Sequence, residues 1–166
     1  MLSRRPEDFL PQGYSLAEGL DRFDVARAHA WIAQESYWAP GIPRALFETS
    51  LRHSLVIGVY DGDGGLAAMA RVITDRATFA WVCDVFVDQQ QRGRGLSKAI
   101  LAHIRAHPDL QGLRRMHLTT RDAHEVYRGF GFTELTGVDR WMEIRVVNPY
   151  AAPQSAFRSD GIGAAL

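Results

Sequence analysis

The feature that most constrains this fold is a strand that passes through a glycine-rich turn directly into a helix. Residues 78–87 alternate in the manner of a strand, Gln-Arg-Gly-Arg-Gly follows at 91–95, and apolar residues recur at helical spacing through 96–106. Glycine lets backbone N–H groups approach a ligand closely, and the first N–H groups of a helix lack partners within it. Three basic side chains add charge: Arg92, Arg94 and Lys98. The segment therefore predicts a phosphate-binding site.

Two common phosphate-binding loops do not match this turn. A Walker loop requires Gly-Lys followed by Ser or Thr, and that arrangement is absent. A dinucleotide fingerprint requires glycine or alanine three residues after Gly95, where this sequence has Lys98. The turn also follows a hairpin rather than opening a first βα unit. Both nucleotide-binding folds are therefore excluded.

Composition indicates one globular domain. The chain has 166 residues, of which 46% are hydrophobic and 23% charged, values typical of a folded protein with one core. Lys+Arg and Asp+Glu are both 19, and this zero net charge argues against nucleic acid as a partner. No apolar run reaches the ~18 residues that span a bilayer, and the first residues lack a secretion-signal pattern. We therefore expect a cytoplasmic protein with no membrane partner.

The single cysteine, Cys83, excludes an intrachain disulfide and a Cys-rich zinc module. The pairs His103/His107 and His124/Glu125 lack the further ligand that a zinc-protease pattern requires. We therefore expect no metal site.

The remaining pattern predicts an α+β fold with helices flanking one sheet. Helices are expected after Asp24 and Pro43, at 96–106, and after Asp122, where Glu125 completes a capping box. Strict alternation along 78–87 places Trp81, Cys83, Val85 and Val87 on one face and Val82, Asp84 and Phe86 on the other. Strands are expected at 14–18, 54–60, 66–74, 78–87, 114–120, 132–135 and 140–146. We expect a single domain at 1–148 and a C-terminal tail at 149–166.

Two motifs together resemble the GCN5-related N-acetyltransferase (GNAT) family. Its Arg/Gln-x-x-Gly-x-Gly/Ala motif binds the pyrophosphate of acetyl-coenzyme A (acetyl-CoA). Two registers fit: Arg92-x-x-Gly95-x-Ser97 except at its last position, and Gln90-x-x-Gly93-x-Gly95 in full. Val126-Tyr127-Arg128-Gly129-Phe130-Gly131-Phe132 is similar to the family's Leu-Tyr-x-x-x-Gly-Phe. The resemblance extends over about residues 14–146 and implies a mixed, mostly antiparallel sheet of six to seven strands flanked by about four helices.

The resemblance also implies an activity: direct transfer of the acetyl group of acetyl-CoA to an amine, with Tyr127 as the general acid that protonates the thiolate. The strand before the turn would splay from the next one and contact pantetheine. The implied cofactor-binding residues are Val85, Phe86, Val87, Arg92, Gly93, Arg94, Gly95, Leu96, Ser97 and Lys98. Asp84 is the first candidate for the general base and Glu143 the second. Asp84 alternatively serves only as a strand carboxylate paired with an arginine.

The acceptor would be a small-molecule amine or a peptide amine. Candidate aromatic walls of its pocket are Trp31, Tyr37, Trp38, Phe47 and Trp141, with Glu35 or Asp84 able to attract a cation. Two alternatives are a non-catalytic acetyl-CoA-binding sensor or regulatory module and a toxin that acetylates aminoacyl-tRNA. The zero net charge argues against the toxin, and Tyr127 favours an enzyme because cofactor binding alone needs no proton donor. GNAT proteins often dimerise, so a homodimer is one expectation.

Overall fold

A five-stranded mixed sheet organises the computed structural model of this protein, which describes residues 4–150. The strands lie in chain order, the first four antiparallel to one another and the fifth parallel to the fourth. Their bounds are β1 Ser15–Glu18, β2 Leu55–Tyr60, β3 Leu66–Thr74, β4 Phe79–Val87 and β5 Arg115–His117.

Four helices flank the sheet: α1 Val25–Ala30, α2 Arg44–Arg52, α3 Leu96–Ala106 and α4 His124–Arg128. The Asp24 side chain caps α1 by accepting a hydrogen bond from the Arg27 N–H at 2.9 Å. The predicted cap of α4 is wrong, because its N-cap is Ala123, and the Ala123 N–H donates to the Thr120 hydroxyl at 3.1 Å. Asp122 and Glu125 therefore form no capping box.

The two faces of the sheet bury separate apolar clusters. Helix α3 covers one face, where Leu96, Ile100 and Ile104 pack with Ile57 and Val72. Helices α1 and α2 cover the other face, where Phe47 and Leu51 pack with Met69 and Phe86. The apolar cluster on one face of the sheet thus holds α3, the helix that follows the glycine turn. The cluster on the other face holds α1 and α2 and thereby the loop between them.

Strand β4 contains a bulge that the sequence pattern did not predict. Cys83 pairs with Arg71, and Phe86 pairs with Met69, so Asp84 and Val85 together oppose a single residue of β3. Asp84 has a φ of +52°, a left-handed conformation that aspartate tolerates better than most residues. Such an extra residue bends a strand and interrupts its ladder.

The bulge reverses which residues of β4 face α3. Before it, Ala80 and Val82 pack in the cluster beneath α3, and after it Val85 and Val87 do. The strict alternation expected from the sequence is therefore wrong beyond Cys83, because the bulge adds one residue to the repeat of two.

The prediction of six to seven strands is also wrong for the described residues, which contain five. The predicted strands at 132–135 and 140–146 are not paired, and the 114–120 strand is reduced to Arg115–His117. The backbone leaves the edge of the sheet because the Phe132 N–H bonds back to the Tyr127 carbonyl at 3.2 Å. A turn at Val138–Arg140, entered through a left-handed Gly137, follows.

The sheet opens beyond the first part of β4. β5 pairs with β4 only from Phe79 to Trp81, whereas β4 continues to Val87. The two strands thus splay, and the second half of β4 has free backbone on this side. No helix in the described part of the chain is long and apolar enough to cross a membrane.

Candidate functional site

The glycine turn is a rigid connection between β4 and α3. Asp88 starts a single turn at Gln89–Gln91 by accepting a hydrogen bond from the Gln90 N–H at 2.9 Å. Gly93 and Gly95 have φ values of +78° and +85°, which glycine adopts without strain. Gly95 is the N-cap of α3. Because glycine has no side chain to cap the helix, the first N–H groups of α3 are left for a ligand.

The N-terminal segment supports this turn, a contact that no sequence pattern indicated. A Cβ atom on Gly95 would lie 2.9 Å from the Phe9 carbonyl oxygen, so the backbones approach more closely there than a larger residue permits. The Tyr14 hydroxyl donates a hydrogen bond of 2.6 Å to Gln91 Oε1. These contacts hold the turn against the N-terminal segment.

A cavity of about 440 Å³ opens beside the turn. Arg92 lies within it, with Nε donating to the Val87 carbonyl at 3.3 Å and the guanidinium 5.7 Å from the centre of the Phe86 ring. Arg94 and Lys98, the other predicted cations, are exposed outside the cavity. The predicted cofactor residues that line it are Val85, Phe86, Val87, Arg92, Gly93, Gly95, Leu96 and Ser97.

This arrangement suits an anion with an extended, partly polar arm. Positive charge comes from Arg92 and the N-terminus of α3, and close backbone approach comes from Gly93 and Gly95. The second half of β4, which pairs with β3 but not with β5, offers free N–H and C=O groups along the same wall. A phosphate at the turn and an amide-containing chain along β4 both have partners here.

A second cavity, of about 610 Å³, adjoins the first. Tyr37, Trp38, Val85 and Asp122 line both cavities, so the two are continuous. The walls of the second cavity come from α2, the α1–α2 loop, β4 and the start of α4. The side chains that matter for chemistry there are Arg71, Cys83, Asp84 and Tyr127.

Tyr127 lies in the wall of the second cavity, near Tyr37 and Asp122, which line both cavities. Its ring packs edge-on against Phe132 at 5.9 Å. Burial, together with smaller contributions from nearby Tyr37 and Asp122, raises the pKa of Tyr127 to about 12. The phenol therefore stays protonated at neutral pH and can serve as a proton donor.

Asp84 is held on both oxygens by its neighbours. Oδ1 accepts a hydrogen bond of 2.9 Å from Trp38 Nε1, and Oδ2 accepts one of 2.8 Å from Arg71 Nε. Arg71 in turn donates to the Ser54 hydroxyl at 3.1 Å. The side chains of Asp84 and Arg71 are 8% and 14% exposed. The carboxylate thus ties the bulge to β3 and to the α1–α2 loop, the arginine pairing that the sequence left open.

The predicted acceptor residues divide into two groups. Tyr37 and Trp38 line the second cavity, with their rings edge to face at 5.0 Å. Trp31 is 4% exposed and stacks on Phe86 in the core at 5.4 Å, and Phe47 is fully buried. These two side chains therefore pack in the core rather than line the cavity.

Trp141 and Glu143 also lie away from the second cavity. The Trp141 ring is 4.7 Å from that of His117 on β5, and Glu143 is exposed in an unpaired stretch. Sequence reasoning missed Trp81 and Tyr150 as wall residues. Trp81 could have been found, because it shares its face of β4 with Cys83. Tyr150 could not have been found, because it falls in the segment expected to be a tail. The rest of that expected tail, 151–166, lies outside the described residues.

Cys83 is the remaining nucleophile of the second cavity. Its thiol donates to the Arg71 carbonyl at 3.4 Å. Burial raises the pKa of the thiol to about 12, so it is protonated and unreactive at neutral pH. Among residues 4–150 no group of three or more histidine, cysteine, aspartate or glutamate side chains is arranged to hold a metal ion.

Comparison with known proteins identifies the family. The sequence profile of the acetyltransferase (GNAT) domain matches residues 52–134. A protein from Xanthomonas campestris, described as belonging to the GNAT family, is 42% identical, with 86% of this chain and 99% of that chain covered and a TM-score of 0.82. No curated protein sequence matched the chain.

More distant solved structures share the fold. An acetyltransferase from Clostridium acetobutylicum, solved with acetyl-CoA, is 15% identical, with 80% of this chain and 96% of that chain covered and a TM-score of 0.58. The ribosomal-protein-S18-alanine N-acetyltransferase of Escherichia coli is 22% identical, with 74% and 79% covered and a TM-score of 0.60. The profile match and the 42% identical relative, together with the splayed β4, the glycine turn and the α4 tyrosine, establish that the chain belongs to the GNAT acetyltransferase family.

Proposed function

We propose that the protein transfers the acetyl group of acetyl-CoA to an amine by direct attack, with Tyr127 as the general acid. The observation that carries this proposal is the continuous pair of cavities, with the glycine turn beside one of them and a half-buried, protonated tyrosine in the wall of the other. A site that only binds the cofactor needs the turn but not the tyrosine.

The donor would bind along β4. Its pyrophosphate would accept hydrogen bonds from the N-terminus of α3 and from Arg92, and its pantetheine arm would bond the backbone of Val85–Val87. A free N–H of this strand would polarise the thioester carbonyl. The splay between β4 and β5 supports this placement, because it leaves the required backbone groups without partners.

In the transfer step a C–N bond forms between the amine and the acetyl carbon, and the C–S bond breaks. The thiolate takes the proton of the Tyr127 hydroxyl, and the amine loses a proton to solvent or a base. A thiol has a pKa near 8.5 and a free tyrosine one near 10. Because burial raises the pKa of Tyr127 to about 12, the tyrosine is fully protonated before the step. The same shift makes proton transfer to a thiolate of lower pKa uphill, so the transfer depends on a short hydrogen bond between the two groups in the transition state.

Asp84 was the first candidate for the base. Because both of its oxygens are engaged by Trp38 and Arg71, we propose instead that it positions the bulge and the wall of the acceptor cavity. Without a carboxylate base, the amine would bind in its neutral form. Loss of hydration in the cavity favours that form, because it lowers the pKa of the corresponding ammonium.

The acceptor would occupy the second cavity. Its walls combine aromatic rings from Tyr37, Trp38, Trp81 and Tyr150 with the charges of Arg71, Asp84 and Asp122. A cation meets favourable ring faces and carboxylates there. We therefore propose an amine that carries an aromatic or apolar group as acceptor, whether a small molecule or a peptide amine.

The first test of this proposal is calorimetric titration of acetyl-CoA and of coenzyme A. We expect micromolar binding that weakens with salt, and Arg92→Ala should weaken it about tenfold through loss of a charge-assisted contact. Arg44→Ala on α2 is the control, because that exposed arginine pairs with Glu48. Absence of binding by either ligand would refute the proposed donor site.

The second test separates an enzyme from a sensor. Tyr127→Phe should lower turnover by about 10²–10⁴, the usual contribution of a general acid, and leave acetyl-CoA affinity within about threefold. Arg44→Ala, an exposed position on α2 that lines neither cavity, is the control and should leave turnover nearly unchanged. Thiol release is measured against a panel of aromatic amines, polyamines, amino acids and peptides. Tight binding without release by any amine would favour the sensor.

A further inference from the structure

Arg71 places a guanidinium with unused hydrogen-bond donors in the wall of the second cavity. Its Nε donates to Asp84 Oδ2 at 2.8 Å, and its Nη1 donates to the Ser54 hydroxyl at 3.1 Å. A guanidinium has further N–H groups on Nη1 and Nη2, and the described residues give Nη2 no hydrogen-bond partner. The contacts with Asp84 and Ser54 therefore fix the side chain and leave one edge of it unused.

The unused edge of this guanidinium is accessible. Within residues 4–150, every buried nitrogen or oxygen atom of a side chain has a hydrogen-bond partner, so an unbonded Nη2 is not buried. The side chain as a whole is only 14% exposed, and the cavity that it lines is the second one. A ligand in this cavity thus meets N–H donors on a positive charge that is already held in place, which lowers the entropy cost of binding.

The carboxylates in the described wall of this cavity already have arginine partners. Asp84 accepts its two hydrogen bonds from Trp38 and Arg71. Asp122 lies 3.7 Å from Arg121 Nη2. A second ammonium group on the acceptor, as in a polyamine, would therefore compete with an arginine for either acid. The edge of Arg71 instead needs an acceptor of hydrogen bonds, and a carboxylate matches the planar guanidinium with two parallel N–H bonds.

The guanidinium also lies beside the part of β4 proposed to hold the thioester. Arg71 bonds Asp84, the first residue of the bulge, and Val85 is the second. The donor is proposed to run along the backbone of Val85–Val87. A carboxylate on Arg71 would consequently lie close to the attacking amine. In an α-amino acid the amine and the carboxylate are attached to the same carbon atom, so one small molecule can supply both.

We propose that the acceptor is an α-amino acid with an aromatic or apolar side chain, and that Arg71 binds its carboxylate through Nη1 and Nη2. This proposal rests on the proposed acetyl transfer and names its substrate class. The acceptor's side chain would lie against Trp38, Trp81 and Tyr150. Its amine forms a C–N bond with the acetyl carbon as the C–S bond breaks, the thiolate takes the proton of Tyr127, and the amine loses a proton to solvent. The products are an N-acetyl amino acid and coenzyme A.

The first experiment uses the wild-type protein and three acceptors that share one ring and one amine. Phenylalanine has a carboxylate, phenylalaninamide a neutral carbonyl, and phenethylamine neither. Thiol release gives kcat/KM for each, compared at equal concentrations of the neutral amine. We expect phenylalanine to exceed both others at least about tenfold, the effect of one charge-assisted hydrogen bond. An equal value for the amide would indicate a peptide amine, and an equal value for phenethylamine would leave Arg71 no role in binding; either result overturns the proposal.

The second experiment removes the planar edge with Arg71→Lys, which keeps the charge. Because this change also loosens Asp84, turnover should fall with every acceptor, so the quantity measured is the preference for phenylalanine over phenethylamine. That preference should fall about tenfold. Arg44→Lys is the matched control, since Arg44 is an exposed arginine that lines neither cavity, and it should keep the preference. A preference that Arg71→Lys leaves unchanged would refute the assignment.

The third experiment tests the carboxylate site without any turnover. N-acetylphenylalanine and N-acetylphenethylamine are titrated into the protein in the presence of coenzyme A, and binding is followed by tryptophan fluorescence. We expect the first compound to bind about tenfold more tightly. Equal binding of the two compounds, or binding of neither, would overturn the site whether or not transfer occurs. Selective binding together with no thiol release by any amine would refute acetyl transfer and support the carboxylate site.

Discussion

The contact between Gly95 and the N-terminal segment leads to a quantitative prediction for Gly95→Ala. At φ +85° an alanine is strained, and its Cβ would lie 2.9 Å from the Phe9 carbonyl oxygen, closer than real Cβ atoms approach. Left-handed strain costs about 1–2 kcal/mol, and overpacking against a backbone atom adds about 1–3 kcal/mol. We expect a total loss of about 2–5 kcal/mol, a large part of the stability of one domain.

Gly93→Ala is the matched control for this change. Gly93 has a φ of +78°, and nothing lies within 4 Å of the Cβ position there. Both substitutions reduce the entropy of the unfolded chain equally, so the difference between them isolates the contact with Phe9. We therefore expect Gly95→Ala to be less stable than Gly93→Ala by about 1–3 kcal/mol.

Urea unfolding followed by circular dichroism measures both variants at equal m-values. If the two variants unfold within about 0.5 kcal/mol of each other, which is the limit of the extrapolation, the N-terminal segment does not pack on the turn as described. A difference of the expected size would establish that this segment holds the glycine turn in place.

Three further predictions follow from the contacts around the site. Asp84→Asn should cost about 3–5 kcal/mol in urea unfolding, because it leaves the nearly buried Arg71 charge unpaired; a loss below about 1 kcal/mol would contradict this. The pKa of the Cys83 thiol is about 12 in the folded protein against 9.0 as the ordinary value. The contribution of this shift to the free energy of unfolding is fully present below pH 9 and is lost as the pH rises towards 12. The melting temperature of Cys83→Ala should therefore fall less steeply with pH than that of the wild type between pH 8 and about 10.5. Equal slopes for the two proteins would count against burial of the thiol. Tyr14→Phe should weaken coenzyme A binding about fivefold in calorimetry, the loss of one hydrogen bond, with turnover at saturation unchanged.

The part of the fold that local rules govern could be predicted from the sequence. The turn between β4 and α3 was predictable because two glycines and a following apolar periodicity specify it within a few residues. Tyr127 was located through a motif, and the structure places it in the wall of the second cavity, while its role as a proton donor stays a prediction. Asp24 capped α1 as expected because a cap depends on neighbours only three residues away.

Features that depend on distant partners were not predictable in this way. Asp84 fits an alternating strand, and the bulge becomes visible only from its register with Arg71 and Met69. Residues 140–146 alternate like a strand, but alternation does not say whether an edge is available to pair with. Trp31 and Trp38 are equally aromatic in sequence, and only the packing of Phe86 separates the core residue from the cavity residue.

The bulge at Asp84 also bears on which length changes β4 can accept. Deletion of Asp84 would give a regular ladder, with Val85 opposite Ala70 and Phe86 still opposite Met69, so Val85 and Val87 would stay in the layer under α3. The glycine turn would then leave β4 from the same side of the sheet. What the deletion would remove is the carboxylate that Trp38 and Arg71 bond. The extra residue therefore adds a side chain to the cavity wall without changing the course of the chain that follows it.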